Sequence, residues 1–440
     1  MIRVDGFDDA LKVLRRSDPL QSLEGQPALL ENIRATFGEP LSPPEVVQRI
    51  LTDVRTAGDG AVTRYTKLIS GVDAPTLEVS RNKIVAAYAD VDEGLVAALR
   101  LSSSRIRNFH EACAVRAGTS FYDAELGRKT VPLQRVGLYV PGGRASYPSS
   151  VLMSAVPAKV AGVDEIVVAT PPGPQGEVSP VILVACDIAG VDRVFAMGGA
   201  QAIAALAYGT ESVPRVDKIC GPGNVFVTLA KKMVFGAVAI DSLAGPSEVL
   251  IIADESASPV YCAADILAQA EHDPQAAVVL VTDSSAFADR VVQEIALQLG
   301  SLPRKDMVEE AVKRGVIAVV DTLNEAVRLS NEFAPEHLEL MVARPRELLN
   351  DIRNAGCICL GGDSPVVMAD YIDGPSHVLP TGGSARFSSG LGVEDFMKLS
   401  TIAHLSNATM SDLGPAAITI ARAEGLEAHA RAIEKRLGSA

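Results

Sequence analysis

Six histidines are spread over 440 residues, and four of them stand near carboxyl or amide groups at spacings that suit metal or proton chemistry. Gln269 and His272 lie three apart at the end of an apolar helical stretch, 259–271. That spacing puts both side chains on one helix face, and imidazole nitrogen with amide oxygen suits a zinc ion. The plainer role for His272 is to complement the helix dipole. Glu336 and His337 form a carboxylate–imidazole pair at a helix-to-strand junction, a suitable general acid/base pair. Successive strand residues face opposite ways, so a shared site needs a bend, which Pro335 fits. The segment 370–381, DYIDGPSHVLPT, is rich in turn formers and offers Asp370, Asp373 and His377, an oxygen ligand and a further imidazole or an ordinary loop. Glu424 and His429 lie five apart on a terminal helix, which separates them by about 140° around its axis. One helix would not aim both at one point.

Three glycine clusters follow expected strands and precede expected helices: PGG (141–143), GG (198–199) and GPGN (221–224). Glycine lets the backbone approach a ligand, and a helix N-terminus favours phosphate. None matches GxGxxG, but three on one sheet point to a nucleotide site. Cys262 and Cys220 are the two thiols placed for nucleophilic chemistry; nothing nearby in sequence supplies a base or cation for Cys262, and a free Cys is expected to be a small buried hydrophobe.

Alternating elements must position these groups. Residues 42–112 read as mostly helical, with Pro43 and Pro44 in a first turn and Val46, Val47, Ile50, Leu51 and Val54 at helical spacing. From Arg135 onward, strands such as RVGLYV, EIVVAT, EVLIIA and AVVLVT alternate with apolar helices. That series argues for parallel sheets covered on both faces. We expect an α/β chain of two doubly wound Rossmann-like domains with helical N- and C-terminal extensions. Its division would be 1–37 as N-terminal extension, 38–138 with 248–384 as a first domain carrying zinc and catalytic residues, 139–247 as a nucleotide-binding domain and 385–440 as C-terminal extension.

Composition narrows the function. A net charge of −14 argues against nucleic acid as a main partner. Six sparse cysteines without a CxxC pair fit a reducing compartment. The first ten residues are charged and lack the apolar core of a signal peptide, and no apolar run reaches membrane-spanning length. We therefore expect a cytoplasmic protein with no membrane partner.

Several long strings together resemble the histidinol dehydrogenase family: RVGLYVPGG (135–143), MGGAQAIAALAYGT (197–210), GPGNVFVTLAKK (221–232), AGPSEVLIIAD (244–254), LAQAEHDP (267–274), FAPEHLEL (333–340), ADYIDGPSHVLPTGG (369–383) and ARFSSGLGVEDF (385–396). The resemblance runs from about residue 44 to the C-terminus. It implies NAD-dependent, four-electron oxidation of L-histidinol through L-histidinal to L-histidine, with one zinc per subunit. It implies Gln269, His272, Asp370 and His429 as zinc ligands and Glu336 and His337 as the catalytic pair. Ser247, His377 and Glu424 would touch substrate together with those ligands and His337. Tyr139, Gln201 and Asn224 would touch NAD. It also implies a homodimer whose C-terminal helix reaches the other subunit's site, which removes the difficulty over Glu424 and His429. The first 40 residues depart from the family, as do Arg128, where Gln is more usual, and Ser376, where Asn is usual. A relative acting on another small alcohol and a non-catalytic descendant are the competing readings. The presence of Glu424 favours histidinol over another alcohol, and the complete Glu336–His337 and ligand set argues against lost catalysis.

Overall fold

The computed structural model describes residues 1–16, 27–73, 76–142 and 146–438. Gly143, the last residue of the PGG cluster, lies outside them. In chain order the strands are β1 (Ile2–Asp5), β2 (Phe121–Asp123), β3 (Leu126–Pro132), β4 (Arg135–Tyr139), β5 (Glu165–Thr170), β6 (Arg193–Ala196), β7 (Lys218–Cys220), β8 (Ala239–Ile240), β9 (Glu248–Ala253), β10 (Ala277–Thr282), β11 (Val316–Val319), β12 (His337–Met341), β13 (Cys357–Leu360) and β14 (Met397–Ala403).

Two all-parallel sheets result. One has the order β6-β5-β4-β7-β8, the other β1-β11-β10-β9-β12-β13. From a central strand, β4 or β9, each winds outward on one side and then returns to fill the other, and the six-stranded sheet also takes the earlier β1 at its edge. That is the doubly wound pattern expected. The strands are apolar on both faces because helices cover both. Alternate residues of β4 and β5 divide between two cores: Val136, Leu138, Ile166 and Val168 pack in one, Tyr139, Val167 and Ala169 in the other. Residues of β9 and β12 alternate in the same way, Val249, Ile251 and Met341 against Leu250, Ile252, Leu338 and Leu340.

The packing differs from the expected domain division. The helix Pro43–Ser70 lies on Gly199–Tyr208 and Val225–Val234, and Glu93–Ala114 lies on Pro148–Ala161. Residues 43–114 therefore cover the five-stranded sheet rather than the six-stranded one. β4 also belongs whole to the five-stranded sheet, so a boundary after residue 138 would cut it. Helical spacing fixed which face of each helix is apolar but not which sheet it would cover. As the prolines suggested, Pro43–Ser70 opens with Pro43 and Pro44, behind a Ser42/Glu45 capping box.

The largely helical termini each also carry a strand. β1 adds to the edge of the six-stranded sheet beside β11, and β14 pairs antiparallel with β3, Met397 opposite Pro132 through Ala403 opposite Leu126.

One buried group in the helix Glu93–Ala114 makes stability depend on pH. His110 is buried, and among the described residues neither ring nitrogen has a hydrogen-bond partner. Burial pushes it down to about 4 from an ordinary 6.5. Below that ordinary value the unfolded chain takes up a proton that the folded chain refuses until about pH 4. Its contribution is full above pH 6.5 and is lost as pH falls toward 4. His110→Leu should flatten this acid limb by about 2 kcal/mol between neutral pH and pH 5. Urea unfolding at the two pH values checks it, and an unchanged slope would count against it.

Candidate active site

A cleft of about 1020 Å³ lies between the two sheets. The five-stranded sheet presents its carboxyl ends there, through Pro141, Gly142, Pro222, Gly223 and Asn224. This is where doubly wound sheets bind ligands. The six-stranded sheet faces the cleft with its amino ends instead, because Ser247 and Glu336 directly precede β9 and β12, and His337 opens β12. Gln269 and His272 reach the same wall from the carboxyl end of the helix Pro259–Ala270, on one face as their spacing predicted. Asp370 comes from the helix Val366–Tyr371, and His377 from the loop after it.

The Glu336–His337 junction bends as anticipated. Ala334 adopts a left-handed conformation at φ +52°, and Pro335 follows. Both Glu336 and His337 then line the cleft, although they are neighbours in sequence. Glu336 Oε2 accepts from the Glu248 N–H at 2.8 Å, and the Glu336 N–H donates to Glu248 Oε2 at 3.3 Å. His337 Nδ1 lies 3.1 Å from the Glu248 carbonyl oxygen. A carbonyl only accepts, so Nδ1 carries the proton and Nε2 keeps its lone pair. Nε2 is buried without a hydrogen-bond partner among the described residues, 3.7 Å from Asp370 Oδ1. The other Asp370 oxygen is 3.8 Å from His272 Nε2. His377 donates through Nδ1 to the Asp370 carbonyl at 2.8 Å, leaving Nε2 to accept from Ser150 at 3.2 Å.

Burial sets the charge states. It pushes His337 down to about 4, with His377 and His272 adding to the effect. It pushes His377 to about 4 and His272 below its ordinary value. Neutral imidazoles at neutral pH can take up protons. Burial raises Asp370 to about 7. It raises Glu336 well above the usual carboxylate range, opposed by the Glu248 N–H and reinforced by the charges of Glu248 and Asp370.

The expected nucleotide residues sit around the glycine loops. The Gly199 N–H donates to the Tyr139 hydroxyl at 3.1 Å, at the start of the helix Gly199–Tyr208. Gln201 is buried on that helix, and its Oε1 has no partner among the described residues. Asn224 caps the next helix, accepting from Phe226 and Val227 at 3.1 and 3.2 Å. Gly221 must be glycine: its φ is +111°, and a Cβ there would stand 2.1 Å from the Tyr139 carbonyl oxygen. Its N–H donates to Asp241 at 2.7 Å, and the buried Lys231 donates to its carbonyl at 2.9 Å.

Glu424 and His429 are not brought to this cleft within one chain. Glu424 is exposed at the end of the helix Asn407–Ala423, and His429 is exposed on Glu427–Leu437. Among the described residues, no group of three His, Cys, Asp or Glu is placed to hold a metal. Cys262 and Cys220 are buried, burial raises both thiols, and Cys262 packs 3.2 Å from the Met341 sulfur. Sequence reasoning missed Glu248, which touches both members of the Glu336–His337 pair. Its signal was a charged residue opening the otherwise apolar strand EVLIIA.

The family model for histidinol dehydrogenase matches residues 41–437. The chain belongs to the histidinol dehydrogenase family. It is therefore an oxidoreductase. The histidinol dehydrogenase of Dehalococcoides mccartyi (strain ATCC BAA-2266 / KCTC 15142 / 195) is 49% identical over 99% of both chains. That of Geobacter sulfurreducens is 50% identical, covering 89% of this chain and 93% of the relative. The crystal structure of histidinol dehydrogenase from Elizabethkingia anophelis superposes with a TM-score of 0.90 at 32% identity, covering 100% of this chain and 98% of that one. The histidinol dehydrogenase match extends through every element that lines the cleft.

Proposed function

We propose that the chain oxidises L-histidinol through L-histidinal to L-histidine, with NAD as electron acceptor and zinc holding the substrate. The observation that carries this reading is the buried, unpartnered Nε2 of His337, with its tautomer fixed by the Glu248 carbonyl. A neutral imidazole with an unprotonated nitrogen, on a residue that lines a cleft, is suited to act as general base toward an alcohol. His337 takes the hydroxyl proton in the first oxidation. Glu336, with a carboxyl made more basic by burial, takes a proton from the water that adds to the aldehyde. Ser247 and His377 line the same cleft and orient the substrate. Retention of the aldehyde between steps keeps a reactive carbonyl from solvent.

The donor set fits zinc. Gln269, His272 and Asp370 line one wall and supply amide oxygen, imidazole nitrogen and carboxylate, donors of the kinds zinc takes. Nucleotide binding fits the glycine loops at the carboxyl ends of β4, β6 and β7, where the buried Gln201 Oε1 awaits a donor. Asn224 lines the cleft, and the buried Tyr139 lies behind it, its hydroxyl accepting from the Gly199 N–H. When bound, zinc fixes the orientation of the substrate's imidazole and amine, and NAD accepts one hydride in each of two steps.

The chain acts as a homodimer, in which a second copy brings His429 as the fourth zinc donor and Glu424 as a substrate contact. Exposed apolar side chains on β2, β3 and the C-terminal helices, among them Phe121, Leu126, Leu413 and Ile420, support this, since they lie uncovered in one chain. A cytoplasmic setting is supported by six free cysteines. In addition, no helix among the described residues is long and apolar enough to cross a membrane.

The intersubunit ligand gives a sharp expectation. His429→Ala should lower zinc retention during dialysis against a weak chelator while melting stays cooperative. Metal content equal to that of the unaltered protein would remove His429 from the ligand set.

A further inference from the structure

We propose that Arg16 is a positioning residue for Glu336 and His337, acting through the buried carboxylate of Glu248. The inference rests on the reading of those two residues as the reacting pair.

Arg16 stands outside the stretch matched by the family model, 41–437. It reaches Glu248, next to the cleft residue Ser247, because the N-terminal segment is built into the six-stranded sheet. β1 pairs with β11, and the helix Phe7–Leu14 buries Ala10 and Leu14 in the core that holds Leu329 and Phe333. Arg16 follows two residues later. Its Nη1 and Nη2 donate to the two oxygens of Glu248, the second at 2.7 Å. Its Nε donates to the Phe333 carbonyl at 2.7 Å, and its planar face lies 3.8 Å from the Phe333 ring centroid. Every part of the guanidinium is directed, which a bidentate fork permits and an ammonium does not.

Glu248 passes this order to the reacting pair. It is 4% exposed. Besides Arg16, its carboxylate accepts from Gly382 N–H at 2.9 Å and from Glu336 N–H at 3.3 Å. Its own N–H holds the Glu336 carboxylate at 2.8 Å, and its carbonyl fixes the His337 ring at 3.1 Å. A buried carboxylate stripped of its cation must move, draw in water or take up a proton. Here any of these displaces the backbone that sets both Glu336 and His337. The Glu248 charge also disfavours ionised Glu336, so the Arg16 cation offsets a repulsion inside the pair's own surroundings.

The test uses the full chain with zinc restored and compares Arg16→Met, Arg16→Lys and the double variant Arg16→Met/Glu248→Gln. Arg16→Met should lower kcat on the order of 100-fold, with KM for NAD and zinc content close to the unaltered protein. Arg16→Lys, which keeps the charge but not the fork, should fall between the two. The double variant should recover roughly tenfold of the loss, because the unpaired buried carboxylate is gone. A segment that merely anchors the N-terminus would lower the melting temperature and leave kcat of the folded protein unchanged. That result, or a double variant no faster than Arg16→Met, would overturn the proposal. Glu336→Gln measured alongside separates two failures. Full activity there would remove the reading of the pair, whereas loss there with normal kcat in Arg16→Met would remove the role of Arg16 alone.

Discussion

His337→Asn is expected to slow the oxidation of L-histidinol by about 10²- to 10⁴-fold, the range by which a positioned base accelerates proton removal. The amide can keep the contact with the Glu248 carbonyl that Nδ1 makes at 3.1 Å, so the start of β12 should hold its shape. It cannot supply the basic nitrogen that Nε2 provides. Zinc content should stay near that of the unaltered protein, because Gln269, His272 and Asp370 are untouched. Loss of zinc in this variant would place His337 among the metal ligands instead. The pH profile adds a second check. Since burial pushes His337 to about 4, the base form dominates throughout the neutral range. The first oxidation should therefore show no His337 acid limb until the pH approaches 4.

Glu336→Gln is expected to leave the first oxidation largely intact and to slow the second by a similar 10²- to 10⁴-fold. With the aldehyde retained, the variant should release about one NADH per site in a burst and then stall, as one hydride is transferred per step. The amide oxygen can still accept from the Glu248 N–H, so the variant should fold. Losing a carboxylate beside Glu248 also removes a repulsion. The sign of the pH effect in the unaltered protein follows from the same shift. Glu336 must be ionised to accept a proton, and its affinity is raised. The second oxidation should therefore decline at higher pH than the first as the solution is made acidic. Rapid-mixing measurements with histidinol and with histidinal separate the two limbs. Coincident limbs would deny Glu336 a role confined to the second step.

The parts of the site that were legible in sequence are those whose neighbours are close in the chain. Gln269 and His272 share a helix turn, and the bend at Pro335 turns Glu336 and His337 to one cleft. Strand-and-glycine punctuation located the loops at 141–142, 198–199 and 221–224. The hidden parts are long-range. Glu248 meets Glu336 across 88 residues, and Arg16 meets Glu248 across 232. No periodicity records such a pair. β1 has only four residues, two of them charged, and pairs only because β11 offers an open edge. β14, MKLSTIA, is largely exposed, so the apolar–polar contrast that marks a half-buried strand is weak. The spacing of Glu424 and His429 argued against a shared site on one helix, only the family resemblance assigned them roles, and one chain leaves both in solvent. The assignment of 43–114 to a sheet was likewise invisible, because an apolar helix face carries no address for its partner.

The measurement that tests the account most directly is the number of NADH formed per L-histidinol consumed, before chelation, after it and after zinc is returned. The account predicts two NADH per histidinol, lost with the metal and restored by zinc. One NADH per histidinol with free aldehyde in solution, or unchanged turnover after complete metal removal, would contradict it.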